Sequence, residues 1–509
     1  MRVLVLALLA TLASHPVCAQ VTQAIVTGGT VSGQADGDLG IFKGIPFAAP
    51  PVGDLRWRAP ALVAPWSGVK PATAFADACL QAPNTQGNTA PVSEDCLYLN
   101  VWTPAKSAAA KLPIVVWIHG GGFVGGSTSI PMYDGSGFAR KGVVLVSLAY
   151  RLGPHGFLAH PELSRESGHG SGTWGIQDLV AGLKWVQANA AAFGGDPRNV
   201  TIFGHSAGAA AVSFLAASPQ AAGLFHKVIA MSGGSFTPLQ ATEPGGFGMS
   251  IPTLALAEKT GKAYLERLGV ATIADARRLT PEALQAAAGT GLAFRPVADG
   301  YIVGDDLSSL YSRHRFNDTP VLLGHTSDET LVFGGPKAVT PAEFEKQVRA
   351  QFGAQADAVL VRYPHATDVD AVRATRHLRN DTSFAWNAWT WARRQSTQGR
   401  GKVYAYLFDR HAPQAEGAGH GSDVPFAFQT LTVRRAPTPE DAALSDTISS
   451  YFVNFAATGD PNGRGLARWP AFTAADSRFM VFDAAPGPRT YPLLERVQVF
   501  DPYFAGVRR

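Results

Sequence analysis

Cysteine, charge and sustained apolar runs are what this chain has little of. Its 509 residues hold only three cysteines, and no Cys/His spacing marks a zinc site, so no metal is expected. Charged residues make up 16% of the chain, 43 basic against 39 acidic, for a net charge of +4 without a sustained Lys/Arg run. Only short clusters such as Arg434-Arg435 occur, whereas nucleic-acid binding needs a concentrated basic face; no nucleic-acid partner is expected. The one apolar run of note, residues 3–13, is too short to span a bilayer, which argues against a transmembrane segment. No internal repeat or extended linker divides the chain, and a hydrophobic content of 46% suits a large core.

Met1-Arg2, the apolar residues 3–13 and Val17-Cys18-Ala19 have the basic start, short hydrophobic stretch and small-residue site of a signal peptide. Cleavage is expected before Gln20, leaving residues 20–509 as a single secreted or periplasmic domain. Cys18 is an alternative lipidation site, but His15-Pro16-Val17 looks little like a lipobox. Removal of the leader leaves Cys79 and Cys96, for which an oxidising compartment makes a disulfide the natural pairing; two free buried thiols are the alternative.

What the chain does contain is Gly204-His205-Ser206-Ala207-Gly208, after the β-branched residues 200–203 and before an alanine-rich helical segment, residues 209–217. This context reads as a nucleophile elbow, a sharp strand-turn-helix that exposes the serine Oγ. A serine nucleophile needs a base and a carboxylate to orient that base, in the order Ser, acid, His. The short apolar strand at residues 320–324 runs into a loop carrying Glu329, taken as the acid. The strand-like residues 403–408 precede a loop reaching His420, taken as the base. His411, His325 and Asp328 are the competitors.

Residues 114–118 form a buried-strand pattern leading into His119-Gly120-Gly121-Gly122-Phe123, which resembles an HGGG oxyanion loop. By that likeness the backbone N–H groups of Gly121, Gly122 and Ala207 stabilise an oxyanion. Gly120, Gly122 and Gly125 also satisfy G-x-G-x-x-G, but a dinucleotide turn demands a helix next, and residues 127–135 have loop chemistry.

The chain resembles the type-B carboxylesterase family, which also contains cholinesterases and non-catalytic neuroligin-like adhesion proteins. The likeness runs from Phe42-Lys43-Gly44-Ile45-Pro46 and Ser93-Glu94-Asp95-Cys96 through Phe193-Gly194-Gly195-Asp196-Pro197 to Thr458-Gly459-Asp460-Pro461-Asn462. The resemblance implies the triad Ser206, Glu329 and His420, the disulfide Cys79–Cys96, and ion pairs of Arg56 with Glu94 and Arg151 with Asp178. It also implies a serine esterase acting on a small-molecule ester without a cofactor. Ser232 matches a family serine behind the active site, and Phe294 lies near the family's acyl pocket. Arg295 could recognise a substrate carboxylate, although an arginine beside a pocket is more often solvated or ion-paired.

Three departures from the family pattern stand out. His205 replaces the usual glutamate before the nucleophile, Thr173 replaces an asparagine, and Thr330 replaces the glycine after the acid. No tryptophan lies between Cys79 and Cys96, so the cation-binding aromatic of cholinesterases is missing there. A neutral ester is therefore the expected substrate class.

Short β-branched runs at residues 114–118, 143–148, 200–203, 227–231, 321–323 and 403–408 alternate with helical patterns, notably residues 177–192 and 446–456. That grammar predicts an α/β fold: a mostly parallel central sheet with helices on both faces and long insertions, the α/β-hydrolase architecture. Residues 164–171 read as a surface loop. Besides a serine esterase, a binding protein on the same fold and a dinucleotide-dependent oxidoreductase are the alternative function classes.

Overall fold

The structure, a computed structural model, describes residues 20–83, 87–242, 248–289, 291–334, 338–433 and 436–508. The expected leader, residues 1–19 with Cys18, and the Arg434-Arg435 pair lie outside the described residues. An eleven-stranded sheet organises the molecule. In chain order its strands are β1 (Gln34–Asp36), β2 (Leu39–Pro46), β3 (Tyr98–Thr103), β4 (Leu112–Ile118), β5 (Val144–Leu148), β6 (Gly195–His205), β7 (Lys227–Met231), β8 (Val321–Thr326), β9 (Val403–Phe408), β10 (Arg478–Phe482) and β11 (Gly487–Thr490). Across the sheet the order is β11-β10-β9-β8-β7-β6-β4-β5-β3-β2-β1.

From β5 through β4 and β6 to β10 every pairing is parallel. Antiparallel pairings close the two edges, β11 on one side and β3, β2 and β1 on the other. The six strands expected from sequence all lie in the parallel part, because only strands covered on both faces read as continuous apolar runs. The antiparallel edge strands carry weaker patterns, such as the wholly exposed β1.

Alternate residues of each strand feed two separate cores. Ile114, Val116 and Ile118 of β4 join Leu179, Leu183 and Val186 of helix α1 (Trp174–Asn189) and Ala209, Val212 and Phe214 of helix α2 (Ala207–Ala217). Val115 and Trp117 point the other way, where Trp117 packs on Phe203 and Phe428 at ring-centroid distances of 4.6 and 4.7 Å. Helix α3 (Pro341–Phe352), helix α4 (Asp368–Asn380) and helix α5 (Trp386–Gln398) belong to the insertions, and α6 (Pro439–Thr458) covers the second face with Ile448, Tyr451, Phe452 and Phe455.

All three helices expected from sequence exist with shifted ends, since α1 begins at Trp174, α2 at Ala207, and α6 runs well beyond residues 446–456. One expectation fails: residues 164–171 are not wholly a loop, because Pro161–Ser167 is helical. Pro161 presets the first turn, the His160 ring accepts the Glu162 N–H at 3.3 Å, and Gly168 ends the helix at φ 73°.

Cys79 and Cys96 form a disulfide. Gln81, two residues beyond Cys79, donates from Nε2 to the carbonyls of Cys79 (2.9 Å) and Gly126 (2.8 Å) and accepts the Gly126 N–H at 2.8 Å. The crosslink thus anchors the residue that pins the glycine loop after β4. The paired replacement C79S/C96S is expected to lower unfolding stability by about 3 kcal/mol, the scale of closing a loop of this size, as measured by urea denaturation of the oxidised protein against the variant.

Candidate active site

Ser206 stands between β6 and α2 with φ 57° and ψ −123°, a conformation that a non-glycine residue holds only under strain. Two glycines make the turn possible. A Cβ on Gly204 would lie 2.3 Å from the Gly208 carbonyl oxygen, and one on Gly208 would lie 2.1 Å from that of Ile118. The Ser206 N–H donates to Met231 of β7 at 2.9 Å, and its carbonyl accepts the Ala210 N–H at 2.9 Å, so the turn is tied to the sheet and to the helix. Its flanking residues are buried, while Ser206 itself keeps partial access to solvent.

Glu329 follows β8 and is wholly buried. Its Oε2 accepts from Nδ1 of His420 at 2.5 Å, Oε1 accepts the Thr326 N–H at 2.7 Å, and its own N–H donates to Oδ1 of Asn380 at 2.8 Å. Burial pushes this carboxyl up, but His420, His325 and Ser232 together outweigh burial and hold it below the usual glutamate value. The opposite edge of the His420 ring, Nε2, is buried without a hydrogen-bond partner among the described residues. His205, the neighbour of Ser206 in the chain, has its ring centroid 4.6 Å from that of His420.

The competing side chains are occupied elsewhere. Asp328 binds the Arg376 guanidinium at 2.7 Å. His325 is fully buried, with Nδ1 at 2.8 Å from the Thr326 carbonyl and Nε2 at 2.6 Å from the Tyr491 hydroxyl; burial lowers its pKa, which makes it a neutral structural group. His411 contacts Asp409 and the Ala412 carbonyl near the surface.

The loop after β4 lies against the elbow. A Cβ on Gly120 would come within 2.9 Å of the Ser206 Cβ. Gly121 and Gly122 both have positive φ, 119° and 63°, and their N–H groups, like that of Ala207, donate to no acceptor among the described residues. No helix opens at Gly120 to Gly125, so the dinucleotide geometry is absent there. His119 braces the loop from below: its ring stacks on Tyr150 at 4.6 Å, and burial lowers its pKa to about 4, leaving it uncharged at neutral pH.

Both expected ion pairs form. Arg56 grips Glu94 through two bonds of 2.6 Å, with His155 at 3.1 Å on the same carboxylate, and Arg151 grips Asp178 at 2.7 and 2.8 Å. The replaced positions are also satisfied: Thr173 donates to Asp299 at 2.6 Å, and Thr330 donates to the Arg376 carbonyl at 3.1 Å.

Sequence reasoning missed three side chains. Phe333 and Phe384 flank the His420 ring at 4.9 and 5.0 Å, giving it an apolar wall. Asp423, three residues past His420, is buried and accepts from the Tyr406 hydroxyl at 2.8 Å. Burial and the Glu329 charge push its carboxyl up to about 7 despite that bond. Its closeness to His420 in the chain was a signal; its burial was not.

Comparison with known proteins agrees with this geometry. Residues 17–499 match the carboxylesterase family. The chain is 36% identical to the fumonisin B1 esterase of Sphingopyxis macrogoltabida, covering 90% of this chain and 86% of that one. It is 34% identical to the acetylcholinesterase of Bungarus fasciatus, over 89% and 80% of the two chains. A solved PNB esterase superposes with a TM-score of 0.82 at 32% identity, covering 94% of this chain and all of that one. The chain belongs to the carboxylesterase family and is a carboxylic ester hydrolase on the α/β-hydrolase fold.

Proposed function

We propose that the enzyme hydrolyses small carboxylic esters in two steps through an acyl-enzyme, with Ser206 as nucleophile, His420 as base and Glu329 as the carboxylate that orients the base. Ser206 Oγ attacks the carbonyl carbon while His420 Nε2 takes the hydroxyl proton. The bond to the alcohol oxygen then breaks as His420 returns that proton to it, leaving the acyl group on Ser206. Water, losing its proton to the same nitrogen, releases the acid and restores the serine. The observation that carries this reading is the Glu329–His420 hydrogen bond of 2.5 Å, which leaves Nε2 unpartnered on a ring that lies against His205 of the elbow. Bonds between such a nitrogen and its nucleophile commonly tighten in the Michaelis complex.

The free N–H groups of Gly121, Gly122 and Ala207 support a role as oxyanion donors, since Ala207 opens α2 and its N–H has no intrahelical partner. Phe333 and Phe384 shield the imidazole from water, which strengthens its interaction with Glu329. Asp423, protonated below about pH 7, leaves Glu329 as the one negative charge facing the imidazolium that forms. Histidine at position 205 and the missing tryptophan between Cys79 and Cys96 speak against choline esters. The leader-like residues 1–19 and the disulfide support secretion or a periplasmic location of the single domain 20–509.

Ser206→Ala is expected to lower kcat on p-nitrophenyl butyrate by roughly 10⁴-fold or more; equal rates would end the proposed role of Ser206. Glu329→Gln, which keeps the shape but loses the charge, is expected to cost on the order of 10³ to 10⁴ in kcat with KM little changed. Steady-state kinetics on the folded variant checks it.

Asp423 generates a prediction about stability. Because its folded-state pKa is raised, its contribution is complete below the ordinary aspartate range and disappears as pH rises through about 7. Relative to Asp423→Asn, the wild type should lose stability from about pH 4 to pH 7, by at most roughly 1.4 kcal/mol per pH unit. Urea denaturation across that range reads the difference, and parallel curves for the two proteins would show that Asp423 does not titrate there.

A further inference from the structure

A cavity of about 550 Å³, the size of a small-molecule subsite, counts two arginines among its lining residues. Arg295 comes from the loop after Phe294, and Arg379 from the last turn of α4. No aspartate or glutamate lines the cavity among the described residues, and neither arginine has an acidic partner within 4 Å there. Their polar contacts are long ones to backbone, Arg295 to the Gly248 carbonyl at 3.4 Å and Arg379 to the Gly334 carbonyl at 3.3 Å. Gln347 and Gln351, one turn apart on α3, add amide donors that are engaged nowhere else among the described residues.

Several other arginines of the molecule are paired. Arg56, Arg151, Arg376 and Arg496 all hold carboxylates at 2.7 Å or less. Arg295 is open to the cavity, yet the surrounding wall partly desolvates it and lowers its pKa, a cost that an incoming anion would offset. Two cations lining one cavity from separate segments favour a negative group bound there.

Two stretches of chain run from the cavity lining to the His420 ring. Between α4 and α5 the chain makes a π-type turn, Asp381–Ala385, a distortion found often at functional sites. There Ser383 faces the cavity and its neighbour Phe384 lies against the His420 ring. In the second stretch Arg379 reaches Gly334, whose neighbour Phe333 also lies against that ring. Asn380, next to Arg379, holds the Glu329 backbone. A substrate whose ester group lies at Ser206 could therefore extend a tail along Phe384 into this hollow.

We propose that the cavity is a carboxylate subsite, and that the enzyme prefers esters carrying a carboxylate remote from the ester bond, held by Arg295 and Arg379, over neutral esters of the same length. The assignment of reacting ends rests on the Ser206 reading above, and it revises the neutral ester expected from the sequence. A guanidinium suits the task because its planar fork can meet a carboxylate with two parallel hydrogen bonds.

The test compares kcat/KM for mono-p-nitrophenyl adipate with that for p-nitrophenyl methyl adipate, which differs only in masking the distal carboxylate. A second arm places the charge on the alcohol side, comparing the acetyl ester of 6-hydroxyhexanoate with hexyl acetate. In at least one arm the wild type is expected to favour the acid, and R295Q/R379Q to reduce that acid-to-neutral ratio by about tenfold or more. Adipate itself should inhibit the wild type competitively, and each of R295Q and R379Q should weaken that inhibition. No preference in either arm, or a ratio unchanged in the double variant, would overturn the subsite. Failure of Ser206→Ala to abolish hydrolysis would instead overturn the nucleophile and leave the ratio readable.

Discussion

The close crossing of β6 and α2 is the constraint on which the rest of the active corner depends. Helix and strand can approach this tightly only because Gly204 and Gly208 present no side chain at the contact, and the turn between them forces Ser206 to φ 57°. Such backbone strain costs on the order of 1–3 kcal/mol, and it persists because β6 is buried between β4 and β7 while α2 is buried along its whole length. The same crossing brings the Gly120 loop to the serine's Cβ and leaves the Ala207 N–H at the open end of the helix. Position and donors thus come from one packing event.

Charge is handled differently on the two sides of the imidazole. Beneath His420, Glu329 is buried and saturated: Thr326 binds one oxygen and His420 the other, while Asn380 holds its backbone. Asp423 sits in the same interior, where burial and the Glu329 charge push its carboxyl up to about 7, so that below that pH only one of the two carboxylates carries charge. Beyond the Phe333 and Phe384 rings lies the opposite arrangement, cations without a carboxylate. In the first case the protein supplies the counter-charge itself; in the second the structure leaves it to a bound molecule.

Much of this was legible in the chain. The parallel strands announced themselves as buried apolar runs, the elbow as a glycine-flanked serine between a strand and a helix, and the disulfide as the only cysteines beyond the leader-like residues 1–19. The helix Pro161–Ser167 carried its own signals, Pro161 and Gly168, which the polar composition of residues 164–171 obscured. The edge strands were harder because pairing on one side only leaves no continuous apolar pattern. Proposing Glu329 over Asp328 as the acid required the resemblance or the structure, since the two are neighbours with the same chemistry; the Arg376 bond to Asp328 separates them.

Local covalent pattern determined by itself the elements that need no partner to be recognised: strand periodicity, the elbow glycines, the glycine loop and the order of serine, acid and histidine. Tertiary structure alone decided which side chains share a space. The Asp423 carboxyl is pushed up to about 7 because it was buried beside Glu329, Phe333 and Phe384 became walls because both meet one ring, and Arg295 and Arg379 came to line one cavity from positions far apart in the chain. Desolvation and Coulomb energies depend on distance and burial, and no sequence spacing encodes either for residues brought together by long insertions.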